Sequence, residues 1–412
     1  MAAATIIYFV FFKRMGDDCQ RDTKPQRLVI AVTTILSGGL GSYALGLSEA
    51  LAFGGWDVHF LVTNERGNLF EEACSRFSVH DLSDQPPSLE KVKRAAALVN
   101  SIAPTILLLN HCSLMHYALP LLERGIRPIV VVHSDDHRFY LTATMFARRI
   151  FRWVVPTSKL ARRLSGYVDR FQQHRIRLVP HGVDAKRYMR SNLPGRRGPV
   201  MTFVGFVDTN KGVDLLPEIM QIVAAAVPGV VLQIVGDGPL RAQLERDFRR
   251  RGLLDQCSFM GQRKIDEVAA TLKQSDVLIH PTRVEGFGLT IIEAMAAGVV
   301  PVVTRLQGIT DDIIEDDVNG FLIEPNDVAG FAKRISELLL DPAKRSRMAH
   351  AATERVERYF SDEAMVRRYA EIFDEPDDRE ESRGPVGMVR WLLEALVERL
   401  AARLRSWIPA AR

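Results

Sequence analysis

Short runs of apolar residues alternate along this chain with longer stretches of mixed polarity. Residues 28–33, 105–109 and 129–132 are rich in Val, Ile and Leu, and each run has the length of a single strand. Runs that are apolar on both faces are typical of parallel strands covered by helices on both sides. The pattern therefore predicts an α/β protein built from repeated strand–helix units.

A second series of such units begins after a turn-rich segment, residues 192–199, whose Pro and Gly content is typical of a domain boundary. The later apolar runs are residues 201–204, 231–235, 277–279 and 299–303. A chain of 412 residues is long enough for two domains of ordinary size. The sequence thus predicts two doubly wound α/β domains.

Composition narrows the class of protein. The formal net charge of +4 is small for this length, and the four cysteines are scattered without a CxxC pair. This cysteine pattern favours a reducing compartment and argues against a zinc site or a disulfide framework. No run of 18 apolar residues occurs, and the apolar residues 2–12 are too few to span a bilayer. Residues 1–26 are therefore expected to be an N-terminal tail, which either touches a membrane or reflects a mis-assigned start.

The stretch of residues 280–293, His-Pro-Thr-Arg-Val-Glu-Gly-Phe-Gly-Leu-Thr-Ile-Ile-Glu, follows an apolar strand and leads into a helix that is expected to begin near Leu289. The free N–H groups and positive dipole end of such a helix suit a phosphate. Glu285 precedes the helix and Glu293 lies about one turn inside it, so the two carboxylates flank one anion site. They could bind the hydroxyl groups of a ribose and a sugar. A plain glycine-rich turn explains the same spacing equally well.

This carboxylate spacing, followed by Ala-Met-Ala-Ala-Gly and a further strand, resembles the hallmark of retaining GT-B glycosyltransferases. These form the "glycosyl transferases group 1" superfamily of glycogen synthase-like and mannosyltransferase-like enzymes. The resemblance implies two Rossmann-like domains that face a cleft, with an acceptor domain at residues 27–190 and a nucleotide-sugar domain at residues 191–355. It also implies a helix at residues 356–373 that returns to the first domain.

The implied reaction is the transfer of a sugar from a nucleotide diphosphate, UDP- or GDP-linked, to a hydroxyl of a glycan or lipid-linked acceptor. The anomeric configuration is expected to be retained, and neither a metal nor another cofactor is expected. Cell-surface polysaccharide or glycolipid synthesis is the implied setting.

The resemblance also implies roles for individual residues. Lys211, Glu285 and His133 are expected to be catalytic, with Lys211 at the donor phosphates and the other two at the donor sugar. His111, at the end of another strand, is a lesser candidate. The residues expected to bind the donor are Gly38, Gly39, Gly41, Lys211, Gly236, Arg283, Glu285, Gly288, Leu289, Thr290 and Glu293, with Glu293 at the ribose.

The chain departs from the family pattern at three positions. Phe206 stands where an Arg usually binds the donor phosphates, so Arg283 or Arg305 would have to substitute for it. Gln307 departs from a glycine motif, and His181 replaces the usual Asn. A GT-B protein that binds a nucleotide sugar without turnover is therefore an alternative. A sugar-nucleotide epimerase of the same fold is disfavoured because the two glutamates have the transferase spacing.

Two further segments suggest partners. Residues 144–177 contain nine Lys or Arg and one acidic residue, interleaved with aromatic residues. This stretch predicts either contact with anionic lipid or acidic glycan, or solvated helix faces, and nucleic acid is disfavoured because no nucleic-acid module is visible. Residues 374–387 are predicted to be an acidic linker. Residues 388–412 are predicted to form an amphipathic helix that lies on a membrane surface or docks on protein. The expected location is the cytoplasm, with peripheral membrane contact through this helix.

Overall fold

The apolar runs of the sequence form parallel strands in the computed structural model, which describes residues 26–36, 39–189 and 198–380. The strands of these ranges are β1 (Arg27–Thr34), β2 (Asp57–Glu65), β3 (Ser78–Asp81), β4 (Ile106–Asn110), β5 (Arg127–Val131), β6 (Arg152–Val155), β7 (Ile176–Leu178), β8 (Val200–Val204), β9 (Val231–Val235), β10 (Cys257–Gly261), β11 (Val277–His280), β12 (Val300–Thr304) and β13 (Phe321–Ile323).

Helices connect most of these strands. They are α1 (Gly39–Phe53), α2 (Phe70–Arg76), α3 (Leu89–Ile102), α4 (Ser113–Ala118), α5 (His137–Ala143), α6 (Ser158–Ser165), α7 (Ala185–Tyr188), α8 (Leu216–Ala226), α9 (Arg241–Arg250), α10 (Ile265–Lys273), α11 (Leu289–Ala296), α12 (Thr310–Ile313), α13 (Val328–Leu340), α14 (Pro342–Tyr359) and α15 (Asp362–Asp374). Within the same ranges, no helix is both long and apolar enough to cross a membrane.

The strands form two separate sheets, one in each half of the chain. The first sheet has seven strands in the order β3-β2-β1-β4-β5-β6-β7, and the second has six in the order β10-β9-β8-β11-β12-β13. Buried apolar side chains cover both faces of each sheet. The strand order reverses beside the first strand of each half, and ligands of such doubly wound folds bind at the carboxyl ends of the strands near this reversal. The predicted α/β architecture of two doubly wound domains is confirmed.

Helix α1 includes part of the glycine-rich segment that is expected to bind the donor. It starts at Gly39, two residues before Gly41. A Cβ at Gly41 would collide with the backbone carbonyl oxygen of Leu36, so this glycine lets the first helical turn lie against the chain that leaves β1. Gly39 and Gly41 therefore belong to the helix, and Gly38 lies outside the described residues.

Helix α15 follows the second domain in sequence but packs on the first. Val183 and Ser361 form an isolated bridge where the chain passes between the domains. Beyond this bridge, Tyr369 of α15 is buried, and its hydroxyl is hydrogen-bonded to that of Tyr43 in α1. The range 356–373, expected to be one returning helix, contains the end of α14 at Tyr359 and the start of α15 at Asp362. Ser361 caps α15, and its hydroxyl accepts from the Ala364 N–H at 3.1 Å.

Residues 374–380, here called the acidic strap, continue from α15 across the first domain. Arg152, only 3% exposed, hydrogen-bonds to Glu375 and to Asp378, the latter at 2.8 Å. Arg177 donates two further hydrogen bonds to Glu375, at 2.6 and 2.7 Å. Residues 374–380 of the predicted linker thus lie against the first domain, because the Glu375 and Asp378 carboxylates pair with its arginines. Residues 381–412, including the predicted amphipathic helix, lie outside the described residues.

The acidic strap also changes the interpretation of the basic stretch at residues 144–177. Arg149 donates to backbone carbonyl groups, and its own carbonyl accepts from Arg379 of the strap. Arg152 donates both to a backbone carbonyl and to the strap, and Arg175 and Arg177 lie beside the strap carboxylates. These four arginines therefore serve the internal packing of the protein. They do not form a face that is free to bind lipid or glycan.

Candidate functional site

The amino end of α11 lies at the carboxyl end of β11, in the second domain. Gly288 precedes the helix with a φ of 105°, in the left-handed region. A Cβ at this position would also come within 2.8 Å of the Ile291 side chain, so glycine is required here. The N–H groups of Leu289 and Thr290 open the helix and have no acceptor within it, which makes this helix end a suitable site for an anion.

Glu285 lies in the loop before this helix and accepts hydrogen bonds through both carboxylate oxygens. Its Oε2 lies 2.7 Å from Lys211 Nζ and 3.1 Å from His280 Nε2, and its Oε1 accepts from the Gly286 N–H at 3.0 Å. Burial raises the pKa of Glu285, but the hydrogen bond from His280 and the Lys211 ammonium outweigh this effect and lower the pKa to about 2. Glu285 is therefore a carboxylate over the whole working pH range.

Lys211 reaches Glu285 from the loop that follows β8. The Lys211 N–H donates to the Asp208 carboxylate at 3.0 Å, which holds the turn. The next residue, Gly212, has a φ of 66°, and a Cβ there would collide with the Pro281 carbonyl oxygen. This close approach of the two loops brings the ammonium group and the carboxylate together, although they are 74 positions apart in sequence.

Glu293 lies on α11, on the side of the helix that faces α7. Burial raises its pKa, against the opposing effects of the Tyr188 hydroxyl and the Arg187 guanidinium. Burial also raises the pKa of Tyr188, which lies beside the Glu293 carboxylate. Glu285 and Glu293 thus flank the start of α11 in different environments, one ion-paired and one next to a phenol.

His133 approaches the site from the first domain, at the carboxyl end of β5. A Cβ at Gly286 would lie 2.8 Å from the backbone carbonyl oxygen of His133, so the two domains are in close contact here. The imidazole itself is buried, with Nε2 hydrogen-bonded to Asn110 Oδ1 and Nδ1 at 3.3 Å from His181 Nε2. Both nitrogens of this ring therefore have protein partners in the structure. Its contact with the donor sugar stays a prediction.

The two arginines considered as substitutes for the missing phosphate cation are both paired with carboxylates. Arg283 forms two hydrogen bonds to Asp214, at 2.6 and 2.8 Å, and Arg305 lies 2.8 Å from Asp316. Phe206, at the position where the family has Arg, is 57% exposed. Of the predicted phosphate cations, Lys211 is the one that lies beside Glu285. Arg283 pairs with Asp214, just before α8.

Two family models match the chain in adjoining segments. The model described as "Glycosyl transferases group 1" matches residues 184–355, and the model described as "Glycosyltransferase Family 4" matches residues 37–187. Between them they account for residues 37–355, which include every strand from β2 to β13. The chain belongs to the glycosyl transferases group 1 superfamily.

Members of this superfamily from several bacteria are similar to the chain. Glycogen synthase of Mycobacterium tuberculosis is 30% identical over 199 residues, which are 48% of this chain and 48% of that protein. The match thus spans about half of the relative's own length. The GDP-mannose-dependent alpha-mannosyltransferase of Corynebacterium glutamicum is 25% identical over 371 residues, 81% of this chain and 85% of that protein.

Solved structures of glycosyltransferases share the fold. A glycosyltransferase from Rickettsia africae has a TM-score of 0.74 at 16% identity and covers 88% of this chain and 100% of its own. HepE of Anabaena, solved in complex with UDP, has a TM-score of 0.72 at 18% identity and covers 84% of this chain and 98% of its own. At these identities the likeness shows the fold, which is GT-B.

The remaining glycine predicted to bind the donor of this group 1 protein has a packing role in the structure. Gly236, after β9, has a φ of 132°, and its N–H donates to Gly261 at 2.9 Å. A Cβ at Gly236 would collide with the Gly205 carbonyl oxygen. This glycine therefore lets the β9 turn support the loop that carries Lys211.

His111 lies in the first domain of this group 1 protein, beside a cavity of about 300 Å³ at the carboxyl ends of β1 and β4. Its ring stacks on Phe139 with centroids 4.1 Å apart, and burial lowers its pKa. Apolar side chains, including those of Leu36 and Leu40, line most of the cavity. Asn110 also lines it and contacts His133, so the cavity is adjacent to the interface between the domains.

The sequence analysis missed two residues of the site, His280 and Asn110. His280 is only 1% exposed and fixes Glu285 through its Nε2, while Asn110 accepts from His133. Each is the last residue of its strand, β11 or β4. In a doubly wound sheet, a polar residue at the end of an apolar strand lies near the ligand site, and this pattern could have identified both residues from the sequence.

Proposed function

We propose that this protein is a retaining glycosyltransferase that moves a sugar from a nucleotide diphosphate to an acceptor hydroxyl. Membership of the group 1 superfamily supports this proposal. The observation that carries it is the convergence of Lys211 and Glu285 at the amino end of α11, with Nζ and Oε2 2.7 Å apart. A cation, a carboxylate and free N–H groups at one point suit a sugar diphosphate, which offers hydroxyl groups and phosphate oxygens next to each other.

Donor binding is proposed to divide the Lys211–Glu285 pair. The ammonium of Lys211 moves to the phosphates, which the N–H groups of Leu289 and Thr290 also contact. The Glu285 carboxylate, still held by His280, then accepts from a hydroxyl of the donor sugar. Glu293 accepts from the ribose.

In the transfer step, the acceptor oxygen forms a bond to the anomeric carbon while the bond from that carbon to the diphosphate breaks. The acceptor proton leaves on a diphosphate oxygen. The protein contributes orientation and stabilisation of the negative charge that develops on the leaving group, so no protein nucleophile is required. The diphosphate is proposed to be held without a metal, by the Lys211 ammonium and the N–H groups of Leu289 and Thr290.

The acceptor is proposed to be a glycan or a lipid-linked sugar that enters from the first domain. The cavity beside His111 lies on that side and has a mainly apolar lining, which favours an acceptor with an apolar part next to its hydroxyl. Synthesis of a cell-surface polysaccharide or glycolipid, at the cytoplasmic side of a membrane, is the setting that we propose.

The first test is a panel of UDP- and GDP-linked sugars, with donor consumption scored with and without EDTA. We expect one donor to be consumed, equally in EDTA, and the anomeric configuration of the product to match the donor by NMR. Lys211→Ala should abolish consumption, whereas Lys333→Ala, an exposed lysine on α13, should leave it unchanged. Inversion of configuration, or full activity in Lys211→Ala, would contradict the proposal.

A second candidate function is nucleotide-sugar binding without transfer. The exposed Phe206 at the arginine position favours it, as does the engagement of Arg283 with Asp214. With these two features, Lys211 is the one predicted phosphate cation, whereas the family pattern has an Arg and a Lys. The same panel separates the candidates, because thermal stabilisation by a nucleotide sugar without its consumption indicates binding alone.

A further inference from the structure

His181 lies at the centre of the contact between the two domains. It follows β7 on the segment that crosses to the second domain, and it is 5% exposed. Its ring centroid is 4.5 Å from Tyr43, 5.1 Å from His133 and 4.9 Å from Phe287. Phe287 belongs to the loop that carries Glu285, so His181 contacts both the first domain and the loop of the second.

The hydrogen bonds define the protonation of the two histidines. Asn110 Oδ1 can only accept, so His133 carries its proton on Nε2. Burial lowers the pKa of His133 well below its ordinary value, which keeps the ring neutral, so its Nδ1 is an acceptor. His181 must then donate from Nε2, at 3.3 Å. Its own Nδ1, which is buried and has no partner within the described ranges, is thereby left as a lone pair.

The two histidines pack against the loop of Glu285. The backbone carbonyl of His133 is so close to Gly286 that no Cβ fits there, and the edge of the His181 ring meets Phe287. The two residues that follow Glu285 therefore rest on the histidine pair. A change in the orientation of His133 or His181 would shift this loop and the carboxylate with it.

We propose that His181 is a positioning residue for sugar transfer. It donates to the Nδ1 of His133 and so holds the orientation of that ring, whose tautomer Asn110 sets, and it supports Phe287. Together these contacts hold the Glu285 carboxylate at the donor sugar. This inference rests on the proposed function, but the placement of His181 can be tested without turnover.

The test compares two substitutions with a matched control. His181→Phe keeps a ring against Phe287 but removes the donor to His133, whereas His181→Asn keeps a donor. His116→Phe replaces another buried histidine of the first domain, on α4, whose pKa burial lowers to about 3, as it does for His181. Because about one neutral hydrogen bond is lost, we expect kcat to fall roughly tenfold in His181→Phe with an unchanged Kd for UDP or GDP. His181→Asn should recover part of the loss, and His116→Phe should retain the wild-type kcat.

Ring ¹⁵N chemical shifts provide the readout that needs no turnover. The wild type should show His133 protonated on Nε2 alone. In His181→Phe the His133 Nδ1 resonance should shift, because this nitrogen loses its donor, and the Phe287 amide should exchange faster. Such a result supports the positioning role even if no donor is consumed. A wild-type kcat in His181→Phe, an equal loss of kcat and nucleotide affinity, or a His133 Nδ1 resonance that does not shift would each overturn the inference.

Discussion

Replacement of Glu285 by Gln tests the electrostatics of the site, because Gln keeps the shape of the side chain and removes its charge. The carboxylate accepts from Lys211, His280 and the Gly286 N–H. Burial raises the pKa of Glu285, but His280 and Lys211 lower it by more than burial raises it. The net result is a pKa of about 2, against the ordinary value of 4.5.

The size of the effect follows from this lowered pKa. A carboxyl group whose folded pKa lies below its unfolded value stabilises the fold above the unfolded pKa, and this contribution is lost as the pH falls through the folded pKa. A difference of about 2.5 pKa units corresponds to about 3 kcal/mol at neutral pH. Near pH 3.5 the same relation gives a contribution of about 2 kcal/mol to the free energy of unfolding. Glu285→Gln should lower the free energy of unfolding by these amounts at the two pH values.

Equilibrium urea unfolding, followed by far-ultraviolet circular dichroism, measures both values. Glu324→Gln is the matched control, because Glu324 is 71% exposed and its pair with Arg305 should contribute less than about 1 kcal/mol at either pH. A loss in Glu285→Gln that is the same at both pH values, or that is no larger than in the control, would refute the reasoning.

Three further predictions concern the strap, the missing cation and the tail. Arg152→Met should lower the free energy of unfolding by about 3 kcal/mol, because it removes the buried cation that pairs with both Glu375 and Asp378. Arg170→Met at the surface should change it by less than about 0.5 kcal/mol, and urea unfolding compares the two variants. Phe206→Arg should raise kcat/KM for the donor about tenfold by adding a second cation near the phosphates, and Ile222→Arg on α8 should not; equal rates in both would contradict this role. Deletion of residues 388–412 should abolish co-sedimentation with vesicles that contain anionic phospholipid, and unchanged sedimentation would show that this segment is not the membrane contact.

The sheets could be predicted from sequence because their strands are continuous apolar runs, which parallel strands buried on both faces require. The meeting of Lys211 and Glu285 followed from the same topology, since the carboxyl ends of β8 and β11 lie at one edge of the second sheet. The expectation that Lys211 and Glu285 meet depends on the order of the strands in the sheet, and that order is implied by the family resemblance.

The pairing of His133 could not be predicted in this way. Its partners Asn110 and His181 come from another strand end and from the crossing segment, and which ring nitrogen each one meets depends on side-chain orientation. The contacts of the acidic strap could not be predicted from the sequence for a related reason. Arg152 and Glu375 are 223 positions apart, and each lies in a charged stretch that resembles a solvated surface when taken alone.

The Lys211–Glu285 ion pair is partly buried, with side chains 22% and 14% exposed. Charges that are removed from water without a partner are costly, so the two residues stabilise each other in the structure. In our proposal a diphosphate and a sugar replace the partner of each, and His280 keeps the carboxylate in place when Lys211 moves.

A crystal structure of the complex with the donor nucleotide tests the central claim most directly. We predict phosphate oxygens within hydrogen-bond distance of Lys211 Nζ and of the N–H groups of Leu289 and Thr290, with the ribose at Glu293. A nucleotide bound elsewhere, with Lys211 still paired to Glu285, would contradict the account.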